Sequence, residues 1–401
     1  MNVNFRAKDM YQRIVLLSCF LLFLSLLSCQ SKEDSYIERI FKEVGFYQIN
    51  LDQFTSPVED YVQYVKNWKG KEAFAFHVRG KDEIKIYDLA SGELFDTIAY
   101  NSQGPTPFQG IYDFNIINED SIFLNKRYLY KTYLVNSDYK VISELNFLED
   151  GAEVDAKTRI PVSGDTFMLV FSHNRLLTLV DGVVYLTASP DKNARQSEYF
   201  DSGTVLVSYD LADDSISKRL GFSEKLKNKA WGPLHANAYA DYNKEEGKFI
   251  ISYEADENLY LVDRGFKFTQ EFEATPNNYN EILPISASAN NEAAYLVYFN
   301  EQFRFGSVLY DPYRKLIYRI ALEPNPNYGM EFINDPLFKP RNMVVMAFDA
   351  ASFDKKAEME LRQSDAGAFL DRCFVNERGL NIFYMDFANE DKLFFKTFLL
   401  D

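Results

Sequence analysis

Three histidines, His77, His173 and His235, and three cysteines, Cys19, Cys29 and Cys373, are the whole supply of imidazole and thiolate metal ligands in this 401-residue chain. No two cysteines have a ligand spacing, so a four-coordinate structural zinc site finds no support. Hard acids are plentiful. Asp210, Asp213 and Asp214 share one turn, and Glu254, Asp256 and Glu257 share another. Neither has the alternating acids and central glycine of an EF-hand loop, so both read as solvated turn acids. The expectation is no cofactor, with calcium the one metal left open. Covalent catalysis has no signature either, because the chain lacks a Gly-x-Ser-x-Gly elbow and a glycine-rich phosphate cradle. With 59 acids, carboxylate pairs are easy to nominate. Glycoside hydrolysis needs them at a fixed separation in space, which sequence does not supply. No catalytic residue is assigned.

The better candidates sit in loops. Gln103, Gly104 and Pro105 form one Gly-Pro turn, and Trp231, Gly232 and Pro233 form another, with His235 close behind. Gly-Pro rigidifies a turn. An indole plate beside a titratable donor suits a sugar or a peptide, by stacking and hydrogen bonding. The alternative is that Trp231 packs between structural elements and His235 begins a strand. Asn278, Tyr279 and Tyr328 lie in further loops, and Arg341 and Arg372 could offer bidentate contacts to a carboxylate or be ordinary surface residues. Cys373 reads as a small buried hydrophobe.

What must position these loops is a repeat. Apolar runs end in Asp88, Asn136, Asp210, Asp263, Asp311, Asp349 and Asp401, at steps of 48, 74, 53, 48, 38 and 52 residues. Most are followed by a polar turn and a second strand-like run. Asp and Asn gather there because their side chains accept backbone N–H bonds at the start of a type I turn. Upstream of several hairpins lies another strand pair, as at Ile111 to Ile117 with Ile122 to Asn125. Two pairs make a four-stranded sheet, and such a sheet repeated near fifty residues indicates a β-propeller. The expectation is an all-β propeller of seven blades, with six or eight as alternatives. Leu393 to Asp401 is a third strand with nothing after it, so Phe46 to Leu51, or the stretch on to Phe54, is expected to supply the fourth and close the ring. A hairpin at Leu176 to Leu186 around Asp181-Gly182 reads as an insertion. In a propeller, links from an outer strand to the next inner strand share the face that most often holds ligand, and the loop candidates are assigned to that face.

The N-terminus gives an address. Arg6, Lys8 and Arg13 precede an uncharged run from Ile14 to Leu27, which ends in Leu26, Leu27, Ser28 and Cys29. That layout is a signal peptide, and the run falls short of the roughly 20 apolar residues of a spanning helix. The four closing residues resemble a bacterial lipobox, which implies cleavage after Ser28 and lipidation of Cys29. Residues 1–28 are then signal, 29–44 a linker with a short helix over Ser35 to Val44, and 45–401 the propeller. Gln30, Ser31, Lys32, Glu33 and Asp34 resemble the export signal of surface lipoproteins in Bacteroides-type bacteria.

Charge excludes further classes. The formal charge of −16 becomes −18 once the signal, with three cations and one anion, is removed. Such a surface repels nucleic-acid phosphates and offers no basic patch to anionic headgroups. The lipid at Cys29 is left to hold the membrane. Aromatic residues make up 16% of the chain, a bias that favours pleated surfaces.

The lipobox, the Gln103-Gly104-Pro105 loop, the aliphatic-Asp hairpins and the ending from Glu377-Arg378-Gly379-Leu380 through Glu390-Asp391-Lys392-Leu393 together resemble domain-of-unknown-function family 4221, an uncharacterised group of Bacteroides-type lipoproteins. The resemblance implies a propeller at the cell surface and carries over no catalytic residue. The functional expectation is an outer-membrane lipoprotein that binds a protein or glycan partner without catalysis. A propeller hydrolase or lyase with a central-channel site and a scaffold subunit of an envelope complex are the alternatives.

Overall fold

The structure is a computed structural model. It describes residues 40–401 except 58, 60, 79–80, 101–107, 109–110, 127–129, 139, 149–154, 156–165, 172, 287–290, 326–340, 363–370, 385–388 and 390. The first strand, β1 (Phe41–Asn50), stands apart from those that follow it. Sheet one is β2 (Val62–Trp68), β3 (Lys71–Val78), β4 (Glu83–Asp88) and β5 (Leu94–Ala99), and sheet two is β6 (Asp113–Asn118), β7 (Ser121–Lys126), β8 (Lys131–Val135) and β9 (Val141–Asn146). Sheet three has β10 (Phe167–Leu169), β11 (Leu177–Val180), β12 (Val183–Pro190), then α1 (Glu198–Ser202), β13 (Thr204–Asp210) and β14 (Ser215–Gly221). Sheet four is β15 (Ala238–Asn243), β16 (Lys248–Tyr253), β17 (Asn258–Asp263) and β18 (Phe268–Glu273). After α2 (Glu292–Asn300) come sheet five, β19 (Arg304–Asp311), β20 (Leu316–Leu322), β21 (Met343–Asp349) and β22 (Lys355–Leu361), and sheet six, β23 (Cys373–Asn376), β24 (Gly379–Tyr384) and β25 (Lys392–Leu400).

These are the antiparallel blades of a β-propeller, and among the described residues there are six rather than seven. The miscount has a physical cause. Asp311 closes the β19–β20 turn and Asp349 the β21–β22 turn, and β20 pairs with β21, Ile317 opposite Phe348. Two hairpins taken for two blades are halves of one. In a four-stranded meander the first and third turns lie on the same side, so the same turn chemistry serves either. Asp349 Oδ1 accepts from Ala351 N and Ser352 N, both at 2.9 Å, and Asp311 Oδ1 accepts from Tyr313 N at 2.9 Å and Arg314 N at 3.0 Å. Asn118, Asn243 and Asn376 do the same in first turns.

The Leu176 to Leu186 hairpin is no insertion. It is the β11–β12 pair of the third blade, with β12 running on to pair with β13. The innermost position of that blade is discontinuous: β10 pairs with the end of β12 and β11 with its start, and the chain between them leaves the sheet. Phe41–Val44, assigned from sequence to a short helix, is strand. Helical and bulged-strand spacing are hard to separate in so short a run, and the register of β1 shifts between Glu43 and Gly45.

Strand alternation sends successive side chains to opposite faces, and in a propeller both faces meet another blade. Ile122 and Leu124 of β7 join the core against blade one, and Phe123 between them joins the core against blade three. This is why inner strands read as unbroken apolar runs. The sixth blade takes β1 as its outer strand, paired with β25 from Phe41 opposite Leu400 to Asn50 opposite Lys392. Tyr47, Ile49, Phe383 and Phe395 of that blade pack against Phe74, Phe76 and Tyr87 of the first.

Candidate functional site

The chain between β10 and β11 builds the centre of the molecule. His173, Asn174 and Arg175 leave blade three and cross the channel to three other blades. His173 Nε2 donates to the Cys373 carbonyl at 2.9 Å, and Asn174 Nδ2 reaches the same carbonyl at 2.7 Å and Ser307 Oγ at 3.1 Å. Arg175 Nη1 donates to the Ala238 carbonyl, and its guanidinium lies 3.9 Å from the Tyr239 ring centroid. Since a carbonyl can only accept, His173 Nε2 carries the proton and Nδ1 is bare. Burial lowers His173 to about 4, against the opposing pull of Asp371 and the Cys373 bond, so the ring is neutral at physiological pH.

Below this plug is a cavity of about 250 Å³, lined by inner-strand residues of all six blades. In three strands the lining follows the plug contact: Phe374 and Val375 after Cys373, Val308 to Tyr310 after Ser307, Ala240 and Asp241 after Ala238. The cavity therefore lies toward the first-pair turns, away from the links between blades. Asp241 accepts from Tyr242 N and Tyr310 N, both at 2.7 Å, and seams blade four to blade five. Desolvation nevertheless raises it to about 6, with those two bonds offsetting part of the effect. Gln63 seams blades one and two in the same manner, donating to the Ile116 carbonyl at 2.8 Å and accepting from Ile116 N at 2.6 Å. Asn115 is different. It is 8% exposed, lines the cavity, and its side-chain amide has no hydrogen-bond partner among the described residues. Tyr64 and Phe374, which also line the cavity, stack on each other with centroids 4.2 Å apart and planes 10° apart.

The sequence-derived candidates gather elsewhere. Trp231 is buried and its Nε1–H donates to the Leu226 carbonyl at 3.0 Å, so it presents no plate. Gly232 adopts φ +86°, and a Cβ there would come within 2.5 Å of the Tyr295 ring on α2, which accounts for glycine at the turn. His235 is buried, donates from Nε2 to the Phe303 carbonyl at 3.0 Å, packs on Phe299, and is lowered by burial to about 4. Tyr279 packs on Phe303 and Phe305, and Asn278 Nδ2 bonds Glu323 at 2.6 Å.

Arg341 and Arg372 are buried and directed at backbone rather than at a channel mouth. Arg341 donates to the carbonyls of Glu323 at 2.6 Å, Leu322 at 3.3 Å, Phe299 at 3.4 Å and Gln302. Arg372 donates to Pro57 at 2.8 Å and Glu59 at 2.9 Å, joining blade six to the approach to blade one. With six blades, Arg341 lies in a connection within blade five. Gln103, Gly104, Pro105, Tyr328 and Cys29 lie outside the described residues.

The two acidic turns diverge. Asp210 Oδ1 accepts from Ala212 N and Asp213 N, whereas Glu254 turns inward to Arg304 at 2.6 Å, Asp256 accepts from Ser223 and Tyr260, and Glu257 pairs with Lys225. Among the described residues no three His, Cys, Asp or Glu side chains are grouped to hold a metal.

The chain and its fold have relatives. The family described as Domain of unknown function (DUF4221) matches residues 39–351. The chain belongs to the DUF4221 family. The crystal structure of a DUF4221 member from Bacteroides vulgatus superposes with a TM-score of 0.71 at 18% identity, over 91% of this chain and 99% of that one. A Bacteroides fragilis protein, named as a candidate exported protein, superposes with a TM-score of 0.51 at 11% identity, over 93% and 97% of the two chains. None of the curated proteins matches the sequence. This DUF4221 chain therefore shares a fold with proteins whose names assign no reaction.

Sequence reasoning passed over His173, Asn174, Arg175, Asn115, Gln63 and Asp241. A signal for three of them exists: Gln63, Asn115 and Asp241 are polar residues with apolar or aromatic neighbours on either side in inner strands. For the plug no pattern marks the excursion, because a broken inner strand reads as a loop.

Proposed function

We propose that the protein is a lipid-anchored outer-membrane protein, exposed at the cell surface, whose propeller holds a protein or glycan partner without transforming it. The observation that carries the binding reading is the use made of the channel's titratable groups. Asp241 accepts two backbone N–H bonds, His173 donates to a backbone carbonyl and Arg175 to another. Asp241 ties blade four to blade five, Arg175 ties blade three to blade four, and His173 ties blade three to blade six across the channel. A catalytic acid or base must instead be free to reach the reacting atom. Cys373, the nearest nucleophile type, is fully buried and burial pushes its thiol up, so it carries no thiolate.

The anchor rests on the Leu26-Leu27-Ser28-Cys29 sequence, and two acyl chains suffice for stable attachment. In the same reading β1, close downstream of the anchor, clasps the ring by completing the sixth blade. The net charge of −16 opposes nucleic acid as a partner. One observation favours a second reading, a channel hydrolase or lyase: Asp241 and His173, both with displaced pKa values, border one cavity.

Metabolic labelling with a fatty acid tests the anchor. The wild-type protein is expected to take the label and to be digested by protease added to intact cells, and Cys29→Ala is expected to lose the label. An unlabelled wild-type chain, or one protected until cells are broken, contradicts the surface assignment.

A further inference from the structure

We infer that the channel cavity binds one small carboxylate, held by the open edge of the Arg175 guanidinium. The inference rests on the binding reading above and names the chemistry of the group that the channel takes.

A guanidinium has two sides in its plane. Nη1 lies cis to Cδ, so Nε and Nη2 share the other side, and their parallel N–H bonds form a fork that meets both oxygens of a carboxylate. Other arginines of this chain fill that fork from within. Arg304 sets Nε 3.1 Å and Nη2 2.6 Å from Glu254 Oε1. Arg319 directs Nε to Ser252 Oγ and Nη2 to the Asp256 carbonyl, and Arg341 directs Nε to the Glu323 carbonyl and Nη2 to that of Leu322. Arg175 leaves it open. This residue is 9% exposed, its Nη1 donates to the Ala238 carbonyl, and one face lies on Tyr239. Nε is buried without an acceptor, and among the described residues none accepts from Nη2 or pairs with the charge. A buried cation with neither an anion nor a full set of acceptors is costly. Fastening to a single carbonyl asks for one donor only, which lysine would supply. Arg175 borders the cavity, and with one face and one corner taken, the open edge and the other face are what it has left to present there.

Size and charge select among anions. At about 30 Å³ for each water, the cavity of 250 Å³ takes on the order of eight, the bulk of a small organic acid and not of a folded segment. Arg175 is the one cation in the lining and Asp241 the one acid. A single carboxylate balances the first. A phosphate dianion would bring a second negative charge into the space that Asp241 shares. Asp241 also keeps lone pairs after its two backbone bonds, so an O–H or N–H on the same ligand has an acceptor. Tyr64, Phe374, Val308 and Leu309 supply apolar wall for its carbon skeleton.

The mature chain carrying Cys29→Ala, to remove the lipid, is titrated with acetate, D-glucuronate and N-acetylglycine, with methyl glucoside and inorganic phosphate as further probes, while the Arg175 Nε–H resonance is followed by NMR. At least one carboxylate is expected to saturate and to shift that resonance. The three acids differ in what carries the carboxylate, so the tightest of them identifies its source. Arg175→Lys keeps the charge and a donor for Ala238 and loses the fork. It is expected to weaken binding by about tenfold or more with the circular dichroism of wild type. No saturation by any carboxylate, or saturation that leaves the Arg175 Nε–H resonance unmoved, overturns the subsite, and both are read on a chain that keeps Arg175. Equal binding to a folded Arg175→Lys overturns it too. Saturation by methyl glucoside or phosphate in place of the carboxylates overturns the assignment of class. Retention of surface polysaccharide by wild type and Arg175→Lys alike, with no carboxylate bound, would sink the subsite while leaving the binding reading intact.

Discussion

Asp241 carries two duties that pull against each other, and its titration separates them. As a seam between blades it is useful ionised, because a carboxylate accepts two N–H bonds more strongly than an acid does. As a channel residue it is desolvated, and desolvation wins: its pKa is raised to about 6 from the ordinary 3.8. Between those values the folded protein keeps a proton that the unfolded chain has lost, so this group's contribution to stability falls as pH rises through the window and is level on either side. Asp241→Asn removes the effect. Relative to wild type, the variant is predicted to gain on the order of 2–3 kcal/mol between pH 4 and pH 7, read as the difference between urea unfolding curves. The buried histidines titrate alike in both proteins and cancel. A difference that does not change with pH would show that Asp241 is freely solvated.

At this scale the sequence speaks about residue type and is silent about direction. Arg341 and Arg372 are legible as donors, and nothing in a linear pattern tells whether a guanidinium meets a ligand or four carbonyls. Arg319 makes the same point more strongly. It is fully buried, donates to the carbonyls of Tyr253, Asp256, Glu257 and Ala274 and to Ser252 Oγ, and lies 3.7 Å from the Phe305 centroid. An arginine in a strand next to apolar neighbours is a fastening between blades here, and the fork of five donors is what qualifies it.

Among elements, the one that joins the two ends of the chain is β1. It rests on Gly92 in the turn after β4: Asn50 N donates to the Gly92 carbonyl at 2.8 Å, and Gly92 sits at φ +74° with a would-be Cβ 2.1 Å from the Gln48 carbonyl oxygen. Glycine is required there twice over, for the backbone angle and for the approach. Gly92→Ala is predicted to cost about 2 kcal/mol or more and to loosen β1 selectively. Hydrogen exchange tests this: in wild type the Tyr47 and Ile49 amides open together with those of β25, and in the variant they exchange first. If β1 already exchanges independently in wild type, it hangs on the sixth blade and does not clasp it.

Strand content and turn positions are readable because both follow from local rules, the alternation of side chains and the capping of turns by Asp and Asn. Blade number is not, since the same capping serves the first and third turns of one sheet. Gly379 and the Asn376 cap make the turn of β23 and β24 legible, whereas the break between β10 and β11 leaves no period to follow.

The whole molecule is an acidic propeller whose channel is plugged at one level and open at another; the proposed reading adds closure through β1 and a lipid tether at Cys29. Strong net charge of one sign keeps such a surface soluble and directs it away from anionic polymers. The channel cavity is lined by residues of all six blades, with polar side chains from blades one to five and Phe374 and Val375 from blade six.

Binding without conversion is the central claim, and the most direct measurement is recovery of the ligand. Surface polysaccharide is incubated with the lipid-free mature chain, the bound fraction is separated from the free, and both are sized by chromatography against an untreated sample. The account predicts a retained fraction whose chain lengths equal those of the input after prolonged incubation. Shortened or unsaturated chains that appear with wild type and disappear with Asp241→Asn would contradict it and make the channel an active site.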